Sequence, residues 1–507
     1  MVGTPLGEEV LLKFRQHFYA EPRNVLAQNV CTKIDPLEAC VSRQQFASTQ
    51  HVFTHKVDVE GKPTTNQKST GRCWVFAALN VIRLPFMKKY NIDEFEFSQS
   101  HLFFWDKIER CNYFLNNIVL TAKRGEPVNG RLVSFLLHDP TSDGGQWDML
   151  VNLINKHGLM PKKNFPDAFS CESSLRMNSI LKSKLREYTK VLREMVDADA
   201  SDEELRETIE KNMDEVFRVV AICLGTPVEK FTFEFYDKSK QYNSFGPVTP
   251  LEFYNNYVKP CFNVDDKVCL VTDPRQSNPY NRAYTVDCLG NVVGGRPIVY
   301  NNQPVDLLLN LAAESIKQKE SVWFGCEVGK RFASKHGIED LAIHDYKITF
   351  GLEVTLGLCK EDRLLYGESM MTHAMNITGV TIQVSQDSGS SAELSERGRC
   401  LHSGDTRDGG MSWWCERRQR DPVRAHRGTS WDRRRHADDQ PVKFRVENSW
   451  GDDRGDKGYL VMTKDWFEEF VFEVVVDRKF VPDKVLEVFE QDPIILPAWD
   501  PMGTLAR

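Results

Sequence analysis

The order in which two hydrophobic periods follow one another along the chain narrows the fold more than any other feature. Apolar residues recur at helical spacing through the first half: over 8–19, over 73–83 at Val75, Phe76, Leu79 and Ile82, and over 98–118 at Leu102, Phe103, Trp105, Ile108, Phe114 and Ile118. Ser98 or Ser100 can cap the third of these, and Pro85 should end or bend the second. A further helix from Asp148 to about Lys156 stops at Gly158, and two more are expected over 250–254 and 305–319. Residues 20–70 read as irregular, with strand at most around His51–His55. From Ser321 onward β-branched and aromatic residues dominate, at 321–328, 374–384, 442–446, 458–462 and 470–476. Helices early and strands late predict an α+β protein of two packed lobes.

Two segments depart from this plan. Residues 172–222 are rich in Leu, Lys, Glu and Arg, with apolar spacing at Leu181, Leu185, Leu192 and Met195 and a capping-box start at Ser201-Asp202-Glu203-Glu204. They read as a helical insertion of two or three helices. Residues 386–440 hold eleven Arg and no Lys, with Trp413-Trp414, Arg433-Arg434-Arg435 and little Val, Ile or Phe. So little apolar surface cannot offset the cost of ordering the chain, and disorder is expected. The segment reads as an accidental extension, such as translated non-coding sequence. A basic arm for nucleic acid is the alternative.

The chain of 507 residues is 41% apolar and 27% charged, ordinary for a globular protein, and its 30 Phe, 14 Tyr and 10 Trp can build a large core. A net charge of −7 opposes nucleic-acid binding through bulk charge. No apolar run is long enough for a membrane span, and the first residues lack a basic leader and an apolar stretch, so neither a membrane segment nor a secretory signal is expected. The 13 cysteines are scattered, without a CxxC pair. They predict reduced thiols in the cytoplasm, with no zinc site and no cofactor.

The chemistry concentrates at Gln67-Lys68-Ser69-Thr70-Gly71-Arg72-Cys73-Trp74-Val75-Phe76. Cys73 opens a helix directly after a loop, where unpaired N–H groups and a partial positive charge favour a thiolate. Such a thiolate can attack a carbonyl. Gln67 can aim its side-chain amide at the same carbonyl and, with the Cys73 backbone N–H, form an oxyanion hole. Taken alone, without Gln67, Cys73 reads more readily as a buried thiol at a helix start.

Further motifs resolve that ambiguity. Asp143-Gly144-Gly145-Gln146-Trp147, Gly367-Glu368-Ser369-Met370-Met371-Thr372-His373-Ala374-Met375, Arg445-Val446-Glu447-Asn448-Ser449-Trp450-Gly451 and the tail Ile494–Gly503 join Gln67–Phe76 in a pattern that resembles the papain-like cysteine peptidases. Within that superfamily the chain is similar to the bleomycin hydrolase branch, over nearly its whole length except 386–440. The resemblance implies a two-lobed papain-like fold, with a helical left lobe and an antiparallel, barrel-like right lobe, spanning 1–385 and 441–507. It implies Cys73 as nucleophile, His373 as its base, Asn448 as the residue that orients the imidazole, and Trp450 as a cover over their hydrogen bond. Gly144 and Gly145 would bind extended substrate backbone, which the absence of Cβ permits. The tail, 492–507, would enter the cleft so that Ala506 and Arg507 meet the substrate's amino end. The activity implied is a cytosolic aminopeptidase acting on peptides and on amide-bearing compounds such as bleomycin, assembled as a homohexamer.

The chain also departs from the secreted relatives. Thr70 and Arg72 stand where those carry Cys and Ser, which removes a disulfide. The segment 386–440 falls inside the hairpin between His373 and Asn448. A structured insertion there would break the strand pair and leave an inactive fold; a looped-out one would cost little, since closure entropy rises by only about 0.6 kcal/mol per doubling of loop length. Looping out is the expectation.

Overall fold

The computed structural model describes residue 3 and residues 5–352, 357–384 and 439–506. Arg507 and all of 386–440 but its last two residues lie outside them, so the expected disorder of that segment falls on residues that are not described.

The helical lobe is built around Cys73–Lys89, nearly every side chain of which is buried. Pro85 does not end this helix; it runs one turn further, because Phe86 and Met87 are packed in the core beyond it and hold that turn in place. Ser98 caps the next helix, Gln99–Lys123, accepting a hydrogen bond from the His101 N–H. Two helices, Leu175–Asp197 and Asp202–Leu224, lie against it through Phe103, Phe104, Leu115, Leu181, Leu185 and Val220. The second of them begins with the Ser201–Glu204 capping box in full. Trp147–His157 is stopped by Gly158 at φ +68°.

Most of the strands belong to one 12-stranded sheet. Its centre runs Val471–Asp477, Val322–Cys326, His373–Val384, Asp439–Glu447 and Tyr459–Thr463, each antiparallel to the next. The sheet is an open path, not the barrel-like lobe expected: it ends on one side at Ile494–Leu496, parallel to Arg282–Val286, and on the other at Phe332–Ala333. The strands His373–Val384 and Asp439–Glu447 stay paired out to Val384 and Asp439, so the hairpin is closed on both sides of the Arg-rich segment.

Two further differences from the sequence reading are local. Residues 20–70 contain three short helices, Pro22–Cys31, Pro36–Ala39 and Arg43–Ser48, the latter two capped by the Asp35 and Ser42 side chains. A hairpin, Phe231–Tyr236 with Tyr242–Val248, and the strands Lys267–Val271, Arg282–Val286 and Tyr300–Asn302 occupy a region from which only helix was read. Among the described residues no helix is long and apolar enough to cross a membrane, and every cysteine is a free thiol.

Candidate active site

Cys73 is the first residue of its helix and is fully buried. Its thiol lies against the backbone N–H of Ala374, next to His373 at the start of a central strand. The helix mouth and the strand start therefore meet across the two lobes. Arg72, also fully buried, precedes the cysteine; it pairs with Asp167 at 3.4 Å and stacks over the rings of Phe76 and Phe103. A buried cation, paired with Asp167, thus sits beside the positive end of the helix dipole.

His373 Nε2 lies 3.0 Å from Asn448 Oδ1, and that oxygen also accepts the Ser449 backbone N–H at 2.7 Å. The second bond fixes which amide atom is oxygen. The imidazole must then donate through Nε2, which leaves Nδ1 as the acceptor in the neutral ring. Trp450, half buried, covers the pair with its ring 4.9 Å from the imidazole. Burial pushes the Cys73 thiol up to about 12 and the His373 imidazole down to about 4, opposed in the second case by the Asn448 bond. Each group alone is held neutral. Moving the thiol proton to the imidazole creates opposite charges side by side, so each offsets the other's desolvation.

Gln67 is held at both ends of its amide. The Ser449 hydroxyl donates to Oε1 at 2.7 Å, and Nε2 donates to the Thr70 carbonyl at 2.8 Å, leaving one N–H uncommitted. The Gln67 backbone N–H donates to the Ser449 carbonyl, and the Gly451 N–H to the Thr65 carbonyl. The loop before Cys73 is therefore stitched to the loop that carries Asn448.

The two glycines differ in what they do. The Gly144 N–H is turned to Ser142 Oγ at 3.1 Å. The Gly145 N–H donates to the Ala506 carbonyl at 3.1 Å, and Gln146 Nε2 donates to the Thr504 carbonyl. A Cβ on Gly145 would come within 2.5 Å of the Trp74 ring, so only glycine lets the chain pass so close to the nucleophile helix. Ala506 is fully buried there, and Arg275 anchors the tail further back through Asp500 at 2.7 Å.

Sequence reading passed over several residues that build this arrangement. Ser449, inside a quoted motif, was legible only as a neighbour of Asn448. Asp143 takes Lys107 at 2.6 Å, Asn178 at 2.8 Å and the Ser174 hydroxyl, while its carbonyl accepts Trp74 Nε1. Burial would raise its carboxyl, but Lys107 and the hydrogen bonds hold it well below the usual range. Arg83 pairs with Glu447 at 2.6 Å, both buried, and Asn376 donates to the other Glu447 oxygen at 3.0 Å. A charge inside the apolar stretch of its helix, ahead of the terminal Lys88 and Lys89, was the available signal for Arg83.

A cysteine at a helix mouth, set across two lobes against a histidine–asparagine pair on the sheet, defines the papain-like class of cysteine peptidases. The chain belongs to the Peptidase C1-like family, whose model matches residues 5–391 and 429–503 and leaves 392–428 unmatched. It is 52% identical over 502 residues to bleomycin hydrolase of Gallus gallus, with 99% of each chain covered, and 51% identical over 507 residues to that of Homo sapiens, with 100% of each covered. Aminopeptidase C of Streptococcus thermophilus is 34% identical over 99% of each chain. The crystal structure of PepW from Lactobacillus rhamnosis superposes with a TM-score of 0.83 at 35% identity, covering 99% of both chains.

Proposed function

We propose that the protein is a cysteine aminopeptidase in which Cys73, His373, Asn448 and Gln67 carry the reaction. The Cys73 thiolate attacks the carbonyl of the first peptide bond. The oxyanion is met by the Cys73 backbone N–H and by the uncommitted Gln67 N–H. His373, carrying the thiol proton on Nδ1, protonates the departing amine and then takes a proton from the water that releases the acyl group. Asn448 holds the ring in the tautomer this requires.

The observation that carries the aminopeptidase reading is the tail seated on Gly145, with Ala506 buried in the position an extended substrate strand would take. Chain beyond a substrate's first residue has no room on that side, and the tail at Ala506 forms the stop that meets the free amino group. The names of the relatives above, bleomycin hydrolase and aminopeptidase C, agree with this reading. Small amides with a free amino end, bleomycin included, are the proposed substrates. A cytoplasmic location and a homohexameric assembly belong to the same reading. The closed hairpin flanking the Arg-rich segment favours an active site over an impaired one.

Cys73→Ala assayed on amino-acid arylamides tests the assignment. Loss of activity by about 10³-fold or more is expected, the scale on which removal of a covalent nucleophile acts. Retained turnover excludes Cys73 as nucleophile.

A further inference from the structure

A cavity of about 640 Å³ opens on the helical lobe between the loop 67–71 and the helix Leu175–Asp197, with Asp143 in its wall. Its position follows from its neighbours. Gln67 and Thr70 belong to the loop that ends at Cys73, and Asp143 is tied by its carbonyl to Trp74, the next residue of the nucleophile helix. The tail runs antiparallel to Gly145, from Thr504 at Gln146 to Ala506 at Gly145, and so heads toward Asp143. The cavity thus opens beside the loop that leads to the nucleophile and beside the segment that precedes Gly145, where the tail is seated.

We infer that this cavity receives the side chain of the substrate's first residue and favours long side chains that end in oxygen, glutamyl before glutaminyl. The inference rests on the aminopeptidase reading: a substrate whose amino end meets the tail and whose first carbonyl reaches Cys73 must place its first side chain here.

The charges in the wall decide the preference. Asp143 is consumed by Lys107, Ser174 and Asn178. Lys182 pairs with Asp139 at 2.6 Å. The Arg186 guanidinium donates to the Leu137 and His138 carbonyls. What remains is Lys68, exposed and without an ion-pair partner among the described residues, and the exposed hydroxyls of Ser179 and Ser183. The uncommitted charge is positive and the uncommitted polar groups can donate. A carboxylate or amide oxygen is matched; an ammonium is repelled; the aliphatic residue in the wall, Leu175, is exposed. Lys68 stands at φ +56°, a conformation held by its backbone N–H bond to Asn66 Oδ1, so replacing its side chain leaves the loop's local bonding intact.

The test is kcat/KM on glutamyl, glutaminyl, leucyl, lysyl and alanyl arylamides for the full chain, for Lys68→Glu and for Ser179→Trp. The expected order is glutamyl, glutaminyl, leucyl, lysyl, with about tenfold between the ends, the scale of one partly screened charge contact. Lys68→Glu should reverse glutamyl and lysyl, and Ser179→Trp should raise KM for glutamyl and glutaminyl while sparing alanyl. A glutamyl-to-lysyl ratio unmoved by Lys68→Glu overturns the inference. If instead no free arylamide is cleaved while amino-blocked peptides are, the aminopeptidase reading itself has failed.

Discussion

At the residue scale, the site depends on two side-chain amides whose orientation is dictated by neighbours. Asn448 is fixed by the Ser449 backbone N–H, and Gln67 by the Ser449 hydroxyl. Ser449→Ala removes one of the two bonds that hold the Gln67 amide and leaves the bond to the Thr70 carbonyl. Loss of one oxyanion donor typically costs about 10²–10³ in rate, so Gln67→Ala should fall in that range, and Ser449→Ala should fall short of it. Both should act on kcat with KM nearly unchanged; a change confined to KM would count against the oxyanion role. A second residue-scale expectation concerns Glu473. Burial pushes its carboxyl up to about 8, against the hydrogen bond from the Cys269 thiol. The folded state therefore keeps this proton where the unfolded state has already lost it. The contribution to stability is full below the ordinary value of 4.5 and is lost as pH rises through about 8. Glu473→Gln removes that dependence, and its melting temperature should fall less than that of the parent chain between pH 5 and 8. Parallel melting curves would show that Glu473 does not titrate as stated.

At the element scale, the helix of Cys73 and the strands of His373 and Asn448 are joined by one buried knot. Arg83 lies on the first, Asn376 on the second, and Glu447 immediately before Asn448 on the third. Removing one partner strands a buried charge, at a cost of about 3–5 kcal/mol. Glu447→Ala should lose stability on that scale, and Arg83→Met in the same chain should recover much of it. Denaturant unfolding of both variants and of the parent checks this; equal losses for the single and double variants would remove the knot from the account. Elements of this length were legible in sequence where one period persisted, as in Gln99–Lys123, Leu175–Asp197 and the strands after Ser321. The hairpin Phe231–Tyr236 with Tyr242–Val248 and the strands between Lys267 and Asn302 were not, because they are short, and the strand Lys267–Val271 also finds its partner only in the distant Val471–Asp477. Pro85 misled because tertiary packing of Phe86 and Met87 outweighs a broken helical hydrogen bond.

At the scale of the whole molecule, the tail and the Arg-rich segment occupy opposite roles. The tail is tied to Arg275 through Asp500 and to Gln146 and Gly145 through Thr504 and Ala506. Deleting residues 498–507 should slow cleavage of free arylamides and open the cleft to amino-blocked peptides; unchanged exclusion of blocked peptides would mean that something other than the tail closes it. Replacing 385–438 by a two-residue turn should leave kcat/KM within about twofold, since the flanking strands are paired to their last residue. The nucleophile and its oxyanion partner could be proposed from the sequence because loop, helix start and amide fall within ten residues. The tail's entry into the cleft came only through resemblance, and its seat on Gly145 only from the structure, since nothing local in 492–507 names its partner.

The central claim is that His373 makes a reactive thiolate of a sulfur that burial alone would keep protonated. It is tested most directly by the rate of iodoacetamide alkylation at Cys73, followed by mass spectrometry from pH 5 to 10, in the parent chain and in His373→Ala. Rapid labelling of the parent is expected well below pH 8 and, in the variant, labelling that rises only above the ordinary thiol range. Superimposable profiles for the two proteins would contradict it.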